Sequence, residues 1–288
     1  MTRKPVILLA FANDLGHHGR YLKEINREMA ELGEILDPHA VVKLKPSATK
    51  PIIENAFQDY GKEIRVFHYG GHASGQGIET APSEDVPRIT FAQGLAEFIG
   101  RRQGLKLVFL NGCATKEQVT FFHRSQIPCV IATVRPIQDV VARQFAIRFY
   151  RSLTKGQNIQ NAFADARDSL KGIYPTDRQM LSRNLFPIEE EAEEVFPYQL
   201  LTDPKHIAVE QEGLKDWTLA ESDPQDPDHI LKAKESGHET TYLLCNRGKH
   251  NEAFEDPLQI SLKDAVRRPQ FYFLHGPFEE MPHSLADR

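Results

Sequence analysis

Residues 64–73 read IRVFHYGGHA and residues 105–115 read LKLVFLNGCAT, and these two stretches decide the fold. Each begins with a short run rich in β-branched, aromatic and aliphatic residues, which predicts a buried β-strand. The glycines that follow predict a turn directly after each strand. The near-continuous apolar run of the second stretch is typical of a central parallel strand that is covered on both faces.

The two predicted turns carry one reactive side chain each, His72 and Cys113. In open α/β sheets, ligands bind outside the carboxyl ends of the strands, so we expect both side chains at the same edge of the sheet. An imidazole can take the proton of a thiol and so produce a nucleophile. His72 is therefore the candidate base and Cys113 the candidate nucleophile, with Gly71 and Gly112 as the supporting glycines.

Attack of a thiolate on a carbonyl group also requires backbone N–H donors for the negative charge that develops on the carbonyl oxygen. The N–H group of Cys113 is one candidate for this oxyanion hole. The N–H group of Ala73 is the other, because the glycine-rich turn before it leaves it uncovered.

Structural explanations for the same residue types compete with this interpretation. A cysteine at the end of an apolar strand is often a small buried hydrophobe, and a single histidine is often a hydrogen-bonded structural residue. Cys129 and His68 lie inside predicted strands, where we expect packing rather than reactivity. His17 and His18 follow the first predicted strand, close to the same edge, without a spacing typical of zinc ligands.

Strand and helix patterns alternate along the first 203 residues. The predicted strands are at 5–12, 40–44, 64–70, 105–111, 128–134 and 196–201. The predicted helices are at 19–32, 50–60, 90–101, 116–125, 142–153 and 159–170, and residues 74–87 are predicted to form a loop. This order predicts an α/β fold, with a mostly parallel sheet flanked by helices on both faces.

The pattern changes in the C-terminal third of the chain. The acidic run at 188–196 is predicted to be a solvated helix or linker, and the segment ESDPQDPD at 221–228 is predicted to be a linker. Two further strands are predicted at 242–245 and 270–274. We therefore expect one α/β domain at 1–203 and a small accessory or regulatory region at 204–288.

Composition excludes several classes of protein. The 288 residues carry a net charge of −5, so no basic surface for nucleic acid is implied. Three cysteines without framework spacing predict a reducing cytoplasm. No apolar stretch reaches the roughly 18 residues of a membrane span, and the short apolar run near the N-terminus is predicted to be the first strand. No metal or phosphate-binding signature is present, so no cofactor is expected.

FHYGGHAS at 67–74, LVFLNGCAT at 107–115 and PCVIATVRPIQDVVARQFAIRFYRSL at 128–153 together resemble the CHAT family. These are caspase-like cysteine peptidases of bacteria, related to separase and the metacaspases in clan CD. The likeness covers about residues 1–200 and implies that His72 is the catalytic base and Cys113 the nucleophile. Many relatives have glycine after this histidine, where the present chain has Ala73.

The resemblance also implies a location for substrate specificity. In separase-like and CHAT sequences, the segment after the strand that follows the cysteine helps to form the S1 pocket, and an acidic residue there can hold a basic P1 side chain. Asp139 occupies that place. Because it opens a predicted helix, it is equally well explained as an N-cap or first-turn acid. Arg135 leaves open an acidic P1 residue, as caspases proper prefer.

The resemblance implies a cysteine endopeptidase that cleaves a protein substrate and is activated by a partner protein or sensor domain in a bacterial defence or stress response. A catalytically silent caspase-like module that binds proteins is the alternative. A nucleotide-using enzyme is a third hypothesis, because FANDLGHHG at 11–19 resembles the start of TIR-like sheets. That hypothesis is weakened by the lack of a glycine-rich phosphate turn.

Overall fold

The structure is a computed structural model. It describes residues 2–13, 21–83, 87–102, 104–174, 180, 196–220, 241–243 and 273–275. The chain divides into two compact units, Thr2–Leu219 and Met1 with Ala220–Arg288. In the described part of the second unit, Thr241–Leu243 pairs antiparallel with Phe273–His275, close to the strands predicted at 242–245 and 270–274.

Strands and helices alternate through most of the larger unit. In chain order, the strands are β1 (Thr2–Arg3), β2 (Val6–Phe11), β3 (Val41–Lys45), β4 (Ile64–Gly70), β5 (Ala73–Ser74), β6 (Gly77–Glu79), β7 (Ile89–Phe91), β8 (Leu107–Asn111), β9 (Cys129–Thr133), β10 (Tyr198–Thr202), β11 (Leu219–Ala220), β12 (Thr241–Leu243) and β13 (Phe273–His275). The α-helices are α1 (Ile25–Leu36), α2 (Lys50–Tyr60), α3 (Ala92–Gly100), α4 (Val119–Arg124), α5 (Asp139–Thr154) and α6 (Ile159–Ile173). Short 3₁₀ segments span Lys116–Gln118, Pro204–Gln211 and Leu214–Trp217.

The main sheet contains six strands in the order β10-β9-β8-β4-β2-β3. Only β10 runs antiparallel to its neighbour, and the other pairs are parallel. The strands β4 and β8 lie within residues 64–73 and 105–115, the two cassettes that carry His72 and Cys113, and they are adjacent at the centre of the sheet. Their carboxyl ends therefore lie side by side at one edge, which is where α/β proteins bind ligands.

Side chains on the two faces of the sheet alternate along each strand. In β2, Ile7 and Leu9 pack into the core on the side of α1, α5 and α6, whereas Leu8 and Ala10 pack into the core on the side of α2, α3 and α4. All four are completely buried. Helices therefore cover both faces of the sheet, and the predicted α/β fold class is confirmed.

Local capping fixes the start of α2. The helix predicted at 50–60 is observed as α2 with the same bounds. The Thr49 side chain caps it by accepting a hydrogen bond from Ile52 N at 3.3 Å, and a proline occupies its first turn. The helix predicted at 19–32 is instead Ile25–Leu36. Residues 21–24 are not helical, because the Asn13 side chain holds the Leu22 backbone through hydrogen bonds to its N–H and carbonyl groups. Residues 14–20, which include His17 and His18, lie outside the described residues.

The loop predicted at 74–87 contains regular structure. Strands β5 and β6 form a hairpin, and β7 pairs with β6 to complete a three-stranded antiparallel sheet. Gly77 permits this, because a Cβ atom there would lie 3.0 Å from the Cα atom of Phe91 and closer still to the Thr90 backbone. Residues 84–86 lie outside the described part of the chain.

The last strand of the main sheet and residues 203–219 after it belong to the larger unit. The strand predicted at 196–201 is observed as β10, while most of the acidic run at 188–196 lies outside the described residues. Trp217 is 1% exposed within the core on the side of α5 and α6. Its indole Nε1 donates to Glu212 at 2.9 Å. Within the described residues, no helix has the length and apolar character needed to cross a membrane.

Candidate active site

The candidate base follows β4 after a single glycine. Gly71 separates Gly70, the last residue of the strand, from His72, and the β5 strand begins immediately afterwards. The backbone carbonyl of His72 accepts a hydrogen bond from Glu79 N at 2.9 Å. The Tyr69 hydroxyl lies 2.7 Å from the same carbonyl and 2.6 Å from that of Glu79. The backbone of the candidate base is therefore held from two sides, and its side chain is half-buried.

Gly71 is required by close packing around this turn. A Cβ atom at this position would lie 2.6 Å from the Ala12 carbonyl oxygen and would also collide with the Tyr69 hydroxyl. A Cβ atom does not approach other heavy atoms this closely unless one of them is displaced. The glycine that the sequence analysis assigned to the supporting turn therefore lets β2, β4 and the histidine turn approach one another.

The candidate nucleophile follows β8 in the same way. Gly112 separates Asn111, the last residue of the strand, from Cys113, which is half-buried. The Thr133 hydroxyl in β9 donates to the Gly112 carbonyl at 2.5 Å and lies 3.2 Å from the Thr115 N–H group, from which it accepts a hydrogen bond. The cysteine turn is therefore anchored to the neighbouring strand on both sides of Cys113.

The residue after the nucleophile has an unusual backbone conformation. Ala114 has a φ angle of 51°, in the left-handed region that non-glycine residues adopt at a cost of about 1–2 kcal/mol. The hydrogen bonds of Thr115 to Thr133 hold the chain in this turn. Strained backbone that is fixed by its surroundings is typical of functional sites, because it directs a reactive side chain.

The two turns are in direct contact. Gly71 N donates to the Asn111 carbonyl at 3.3 Å. A Cβ atom on Gly112 would lie only 2.6 Å from the Cβ atom of Ala73 and 2.8 Å from the Gly71 carbonyl oxygen. The glycine at position 112 therefore has a steric purpose, since any side chain there would push the histidine and cysteine turns apart.

One cavity at this edge of the sheet brings together the predicted base, nucleophile and specificity residue. His72, Cys113 and Asp139 all line it. The remaining lining residues come from the start of α1, the ends of β4 and β8, and the start of α5: Leu22, Ile25, Glu28, Gly71, Asn111, Gly112, Ile137 and Ala142. Arg135, the alternative specificity residue, is not among the described residues that line this cavity.

The environment of Cys113 favours the neutral thiol. Burial raises the pKa of Cys113, and the negative charge of Asp139 raises it further. A hydrogen bond with the Ile137 backbone acts in the opposite direction. A thiol in this setting is not a standing thiolate at neutral pH, so a nearby base must take its proton during attack.

Asp139 lies at the cavity and at a helix junction. It is the first residue of α5, and its Oδ2 atom accepts a hydrogen bond from Glu24 N at 2.7 Å, directly before α1. Burial raises the pKa of Asp139, and the charges of Glu28 and Glu24 contribute in the same direction. Asp139 therefore accepts a hydrogen bond at the amino end of α1, a contact that the sequence did not predict. Its position at the cavity is compatible with the predicted specificity role.

The two predicted oxyanion donors flank the contact between the turns. Ala73 is opposite Ile78 in the ladder of β5 and β6. The neighbouring pair, His72 and Glu79, is a hydrogen-bonded pair, because Glu79 N donates to the His72 carbonyl. Hydrogen-bonded and non-hydrogen-bonded pairs alternate in antiparallel ladders. The Ala73 N–H group therefore points away from β6, and Ala73 N would lie 3.4 Å from a Cβ atom on Gly112.

Sequence reasoning missed a buried polar network beneath the cavity. It is centred on Glu28, which lies on the otherwise apolar inner face of α1, and its Oε1 atom lies 2.6 Å from Asn111 Nδ2 and 3.1 Å from His68 Nε2. Tyr198 donates to Asn111 Oδ1 at 2.5 Å, and the Tyr150 hydroxyl lies 3.3 Å from His68 Nδ1. A carboxylate at an apolar position of the helix pattern was the signal that could have identified it.

Cys129 and His68, which lie inside strands, are core residues. Cys129 is fully buried, and burial raises its pKa to about 12. Its Sγ atom lies 3.6 Å from the Thr202 hydroxyl. His68 is also fully buried, within the network around Glu28. Among the described residues, no cluster of three or more histidine, cysteine or acidic residues is arranged to hold a metal ion.

No curated protein matches the chain. Among solved structures, the chain is similar to a secreted C11 cysteine protease from Bacteroides thetaiotaomicron, with 12% identity and a TM-score of 0.47 over 71% of this chain and 68% of the other. Pro-sf-caspase-1 has 10% identity and a TM-score of 0.47 over 70% and 87% of the two chains. The Drosophila initiator caspase Dronc has 6% identity and a TM-score of 0.40 over 68% and 78%.

The family comparison covers most of the larger unit. The model that describes the CHAT domain matches residues 2–218, which include both cassettes. The resemblance stated from those cassettes is therefore confirmed, and the match extends beyond the roughly 200 residues over which it was stated. This chain belongs to the CHAT domain family.

Proposed function

We propose that this protein is a cysteine endopeptidase in which His72 is the base and Cys113 the nucleophile. The observation that carries the proposal is the contact between the two turns, since Gly71 N donates to the Asn111 carbonyl and Gly112 packs against Ala73. Family membership supports it independently, because CHAT proteins resemble caspase-like peptidases at these two cassettes.

The proposed reaction begins with a neutral thiol. His72 takes the proton of Cys113 as the sulfur attacks the carbonyl carbon of the scissile peptide bond. The negative charge on the carbonyl oxygen is stabilised by the N–H groups of Cys113 and Ala73. The imidazolium then gives its proton to the leaving amine, and water hydrolyses the thioester. The raised pKa of the thiol supports this order of events, because it makes proton removal part of the attack.

We propose that Asp139 contributes to the S1 pocket. It lines the same cavity as Cys113, and its charge affects the pKa of the thiol, so the two groups are close. A carboxylate at this position favours a lysine or arginine at P1. An acidic P1 residue held by Arg135 is the less supported choice, because the cavity beside Cys113 carries negative charge.

Regulation and location are proposals from the family resemblance. We propose that a partner protein or an attached sensor domain activates the peptidase in a bacterial defence or stress response, and that the protein works in the cytoplasm. The second compact unit, Ala220–Arg288, is the candidate accessory region. The odd number of cysteines supports a reducing compartment.

A peptide library with an activity-based thiol probe tests the proposal. We expect the wild-type protein to cleave some members of the library and to be labelled by the probe, and Cys113→Ala and His72→Ala to abolish cleavage. The matched control is Cys129→Ala, a mid-strand cysteine that is fully buried; cleavage should persist in this variant. Labelling that continues in Cys113→Ala would contradict the assigned nucleophile.

A catalytically silent protein-binding module is the alternative function. The observation that favours it is the burial of Cys113, which raises the pKa of the thiol and slows its reaction. The alternative predicts that no library peptide is cleaved with or without partner proteins. It also predicts that Cys113→Ala binds protein ligands as well as the wild type does.

A further inference from the structure

Gln118 is a fully buried polar residue that has no role in the proposed reaction. It ends the 3₁₀ segment Lys116–Gln118 in the loop after Cys113, and 0% of its surface is exposed. Its Nε2 atom donates to the Ser74 carbonyl at 2.5 Å. Among the described residues, its Oε1 atom is buried without a hydrogen-bond partner. The side chain therefore joins the loop of the candidate nucleophile to the strand that follows the candidate base.

The unpartnered oxygen makes this glutamine an unfavourable core residue. A buried amide oxygen has lost its contact with water, and here no donor among the described residues replaces that contact. Methionine has a similar length and fills buried space without this penalty. Stability alone therefore does not explain a glutamine at position 118, and its Nε2 donor is the group that requires an explanation.

The backbone of Gln118 is fixed to the loop that carries Cys113. Gln118 N donates to the Thr115 carbonyl at 3.1 Å. Thr115 is in turn bound to Thr133 in β9, because Thr115 N donates to the Thr133 hydroxyl at 3.2 Å and Thr133 N donates to the Thr115 hydroxyl at 2.9 Å. The Nε2 donor of Gln118 is therefore held by the same anchor as the nucleophile.

Strand β5 and the residue after it pack along this loop. A Cβ atom on Gly112 would lie 2.6 Å from the Cβ atom of Ala73, and a Cβ atom on Gly75 would lie 3.0 Å from Glu117 Oε2. The hydrogen bond of Gln118 lies between these two contacts along the strand. Two steric contacts and one hydrogen bond thus set the distance between β5 and the cysteine loop.

That distance matters because the two candidate oxyanion donors belong to these two elements. The N–H group of Cys113 is part of the loop, and the N–H group of Ala73 is part of β5. Both must point at one carbonyl oxygen from about 2.7–3.1 Å to stabilise its negative charge. A misplacement of about 1 Å in such an arrangement can lower the rate about a hundredfold.

We propose that Gln118 is a positioning residue of the oxyanion hole. Its Nε2 donor holds the Ser74 carbonyl, and so keeps the Ala73 N–H group at a fixed distance from the Cys113 N–H group. This role rests on the proposed function, because the oxyanion forms only when the sulfur of Cys113 attacks a carbonyl group. Gln118 acts through β5, and it is not among the described residues that line the cavity of Cys113.

The test removes the donor of Gln118 and retains the length of its side chain. The full chain with Gln118→Met is compared with the wild type in steady-state cleavage of a library peptide, in inhibition by the aldehyde of the same acyl sequence, and in urea unfolding. The sulfur of Cys113 adds to the aldehyde carbon while the thiol proton passes to His72, which leaves a negative oxygen in the oxyanion hole. Aldehyde affinity therefore reports on the two donors.

Thr80→Val is the matched control. Thr80 is 2% exposed, and its hydroxyl donates to the Arg88 carbonyl at 3.0 Å, next to β6 of the same three-stranded sheet. The substitution removes one buried bond from a side chain to a backbone carbonyl and retains the shape of the side chain. It should lower the urea midpoint and leave kcat and aldehyde affinity at their wild-type values.

For Gln118→Met we expect kcat to fall by about tenfold to a hundredfold, with KM within about twofold of the wild type, because the donors act on the transition state. The inhibition constant of the aldehyde should rise by a comparable factor. The urea midpoint should remain at or above that of the wild type, because the unpartnered oxygen is absent. Loss of activity without loss of stability is a result that a purely structural role would not give.

Three results would overturn this role of Gln118. Unchanged kcat and aldehyde affinity in Gln118→Met would overturn it alone, because cleavage by the wild type would still support the proposed function. Unfolding of both Gln118→Met and a second variant, Gln118→Leu, would show that the glutamine holds the fold instead. A wild-type protein that cleaves no peptide and binds no peptide aldehyde would overturn the proposed function and the role of Gln118 with it.

Discussion

Gly70 and Asn111 are register partners in the ladder between β4 and β8. Each is followed by one glycine and then by a reactive residue, so His72 and Cys113 both lie two residues beyond the same rung of the sheet. Adjacent strands are about 4.8 Å apart. Equal spacing from a shared rung therefore brings the imidazole and the thiol to the same level of the sheet edge.

Gly112→Ala tests whether contact between the two turns is required. The added methyl group would lie 2.6 Å from the Cβ atom of Ala73 and 2.8 Å from the Gly71 carbonyl oxygen. We expect cleavage to fall more than about tenfold and stability to fall by about 1–3 kcal/mol, the cost of overpacking. Peptide cleavage and denaturant unfolding measure the two effects.

The matched control for that substitution is Gly94→Ala in α3. A Cβ atom at Gly94 has no neighbour within 4 Å, and alanine favours helix over glycine by about 1 kcal/mol. The control should be as active as the wild type and slightly more stable. Equal activity of Gly112→Ala and Gly94→Ala would contradict the requirement for contact.

The pKa of Cys113 predicts a specific dependence of alkylation on pH. Because the pKa is raised from its ordinary value of 9.0, the thiol is protonated at pH 7, and the thiolate increases with pH until the pKa is passed. We expect the rate of iodoacetamide alkylation to rise about tenfold per pH unit between pH 7 and 9, since only the thiolate reacts. Mass spectrometry of the Cys113 peptide measures this rate.

Asp139→Asn should shift that profile to lower pH. The substitution removes a negative charge that raises the pKa of the thiol, so more thiolate is present at each pH below the pKa. Cys129, with a pKa of about 12, is the internal control and should remain unmodified over the same range. A wild-type rate that is already constant from pH 7 upwards would contradict the prediction, because it would indicate a standing thiolate.

Tyr69→Phe tests the support of the candidate base. The Tyr69 hydroxyl lies 2.7 Å from the His72 carbonyl, and its loss leaves that carbonyl with one donor fewer. We expect kcat to fall by about tenfold with little change in KM, and stability to fall by about 1 kcal/mol, the value of one hydrogen bond. Steady-state kinetics on a cleaved peptide measures kcat and KM separately.

The control for Tyr69 is Tyr174→Phe, which removes a hydroxyl that donates to Gln144 at 3.1 Å, away from the lining of the cavity. It should lose a comparable amount of stability without a change in kcat. If Tyr69→Phe and Tyr174→Phe have the same kcat, the Tyr69 hydroxyl does not position His72.

The strands of the site could be predicted from sequence because local signals are strong there. In β8, apolar residues fill both faces and a glycine follows the strand, so both the strand and the position of Cys113 at its end are visible without tertiary information. The helix α2 could be predicted to the residue for the same reason, since Thr49 and Pro51 define its start.

The part of the site that sequence could not supply depends on distant residues. Glu28 and Asn111 are 83 residues apart, and no local pattern indicates that their side chains meet at 2.6 Å. The contact of Asp139 with Glu24 spans 115 residues. Local propensity determines where an element begins and ends, whereas the pairing of buried polar groups follows from how the helices pack on the sheet.

Asn111→Asp tests the buried network at the base of the cysteine turn. The Nδ2 donor lies 2.6 Å from Glu28 Oε1, so an aspartate there would bring two carboxylates together in a site where Asn111 is 4% exposed and Glu28 2%. The pair can be accommodated only if one carboxylate keeps a proton, which raises the pKa of the pair in the folded state above its unfolded value. The folded variant then binds more protons than the unfolded chain, so its stability falls as pH rises.

We therefore expect Asn111→Asp to lose about 3–5 kcal/mol at pH 8, the cost of an uncompensated buried charge, and distinctly less at pH 5. Urea unfolding at the two pH values gives both numbers. Asn26→Asp, an exposed position on α1, is the matched control and should stay within about 0.5 kcal/mol of the wild type at both pH values. Equal destabilisation of Asn111→Asp at pH 5 and pH 8 would contradict the prediction. That outcome would mean that the two carboxylates move apart in the variant, and that the network does not rigidly hold the strand end that carries Cys113.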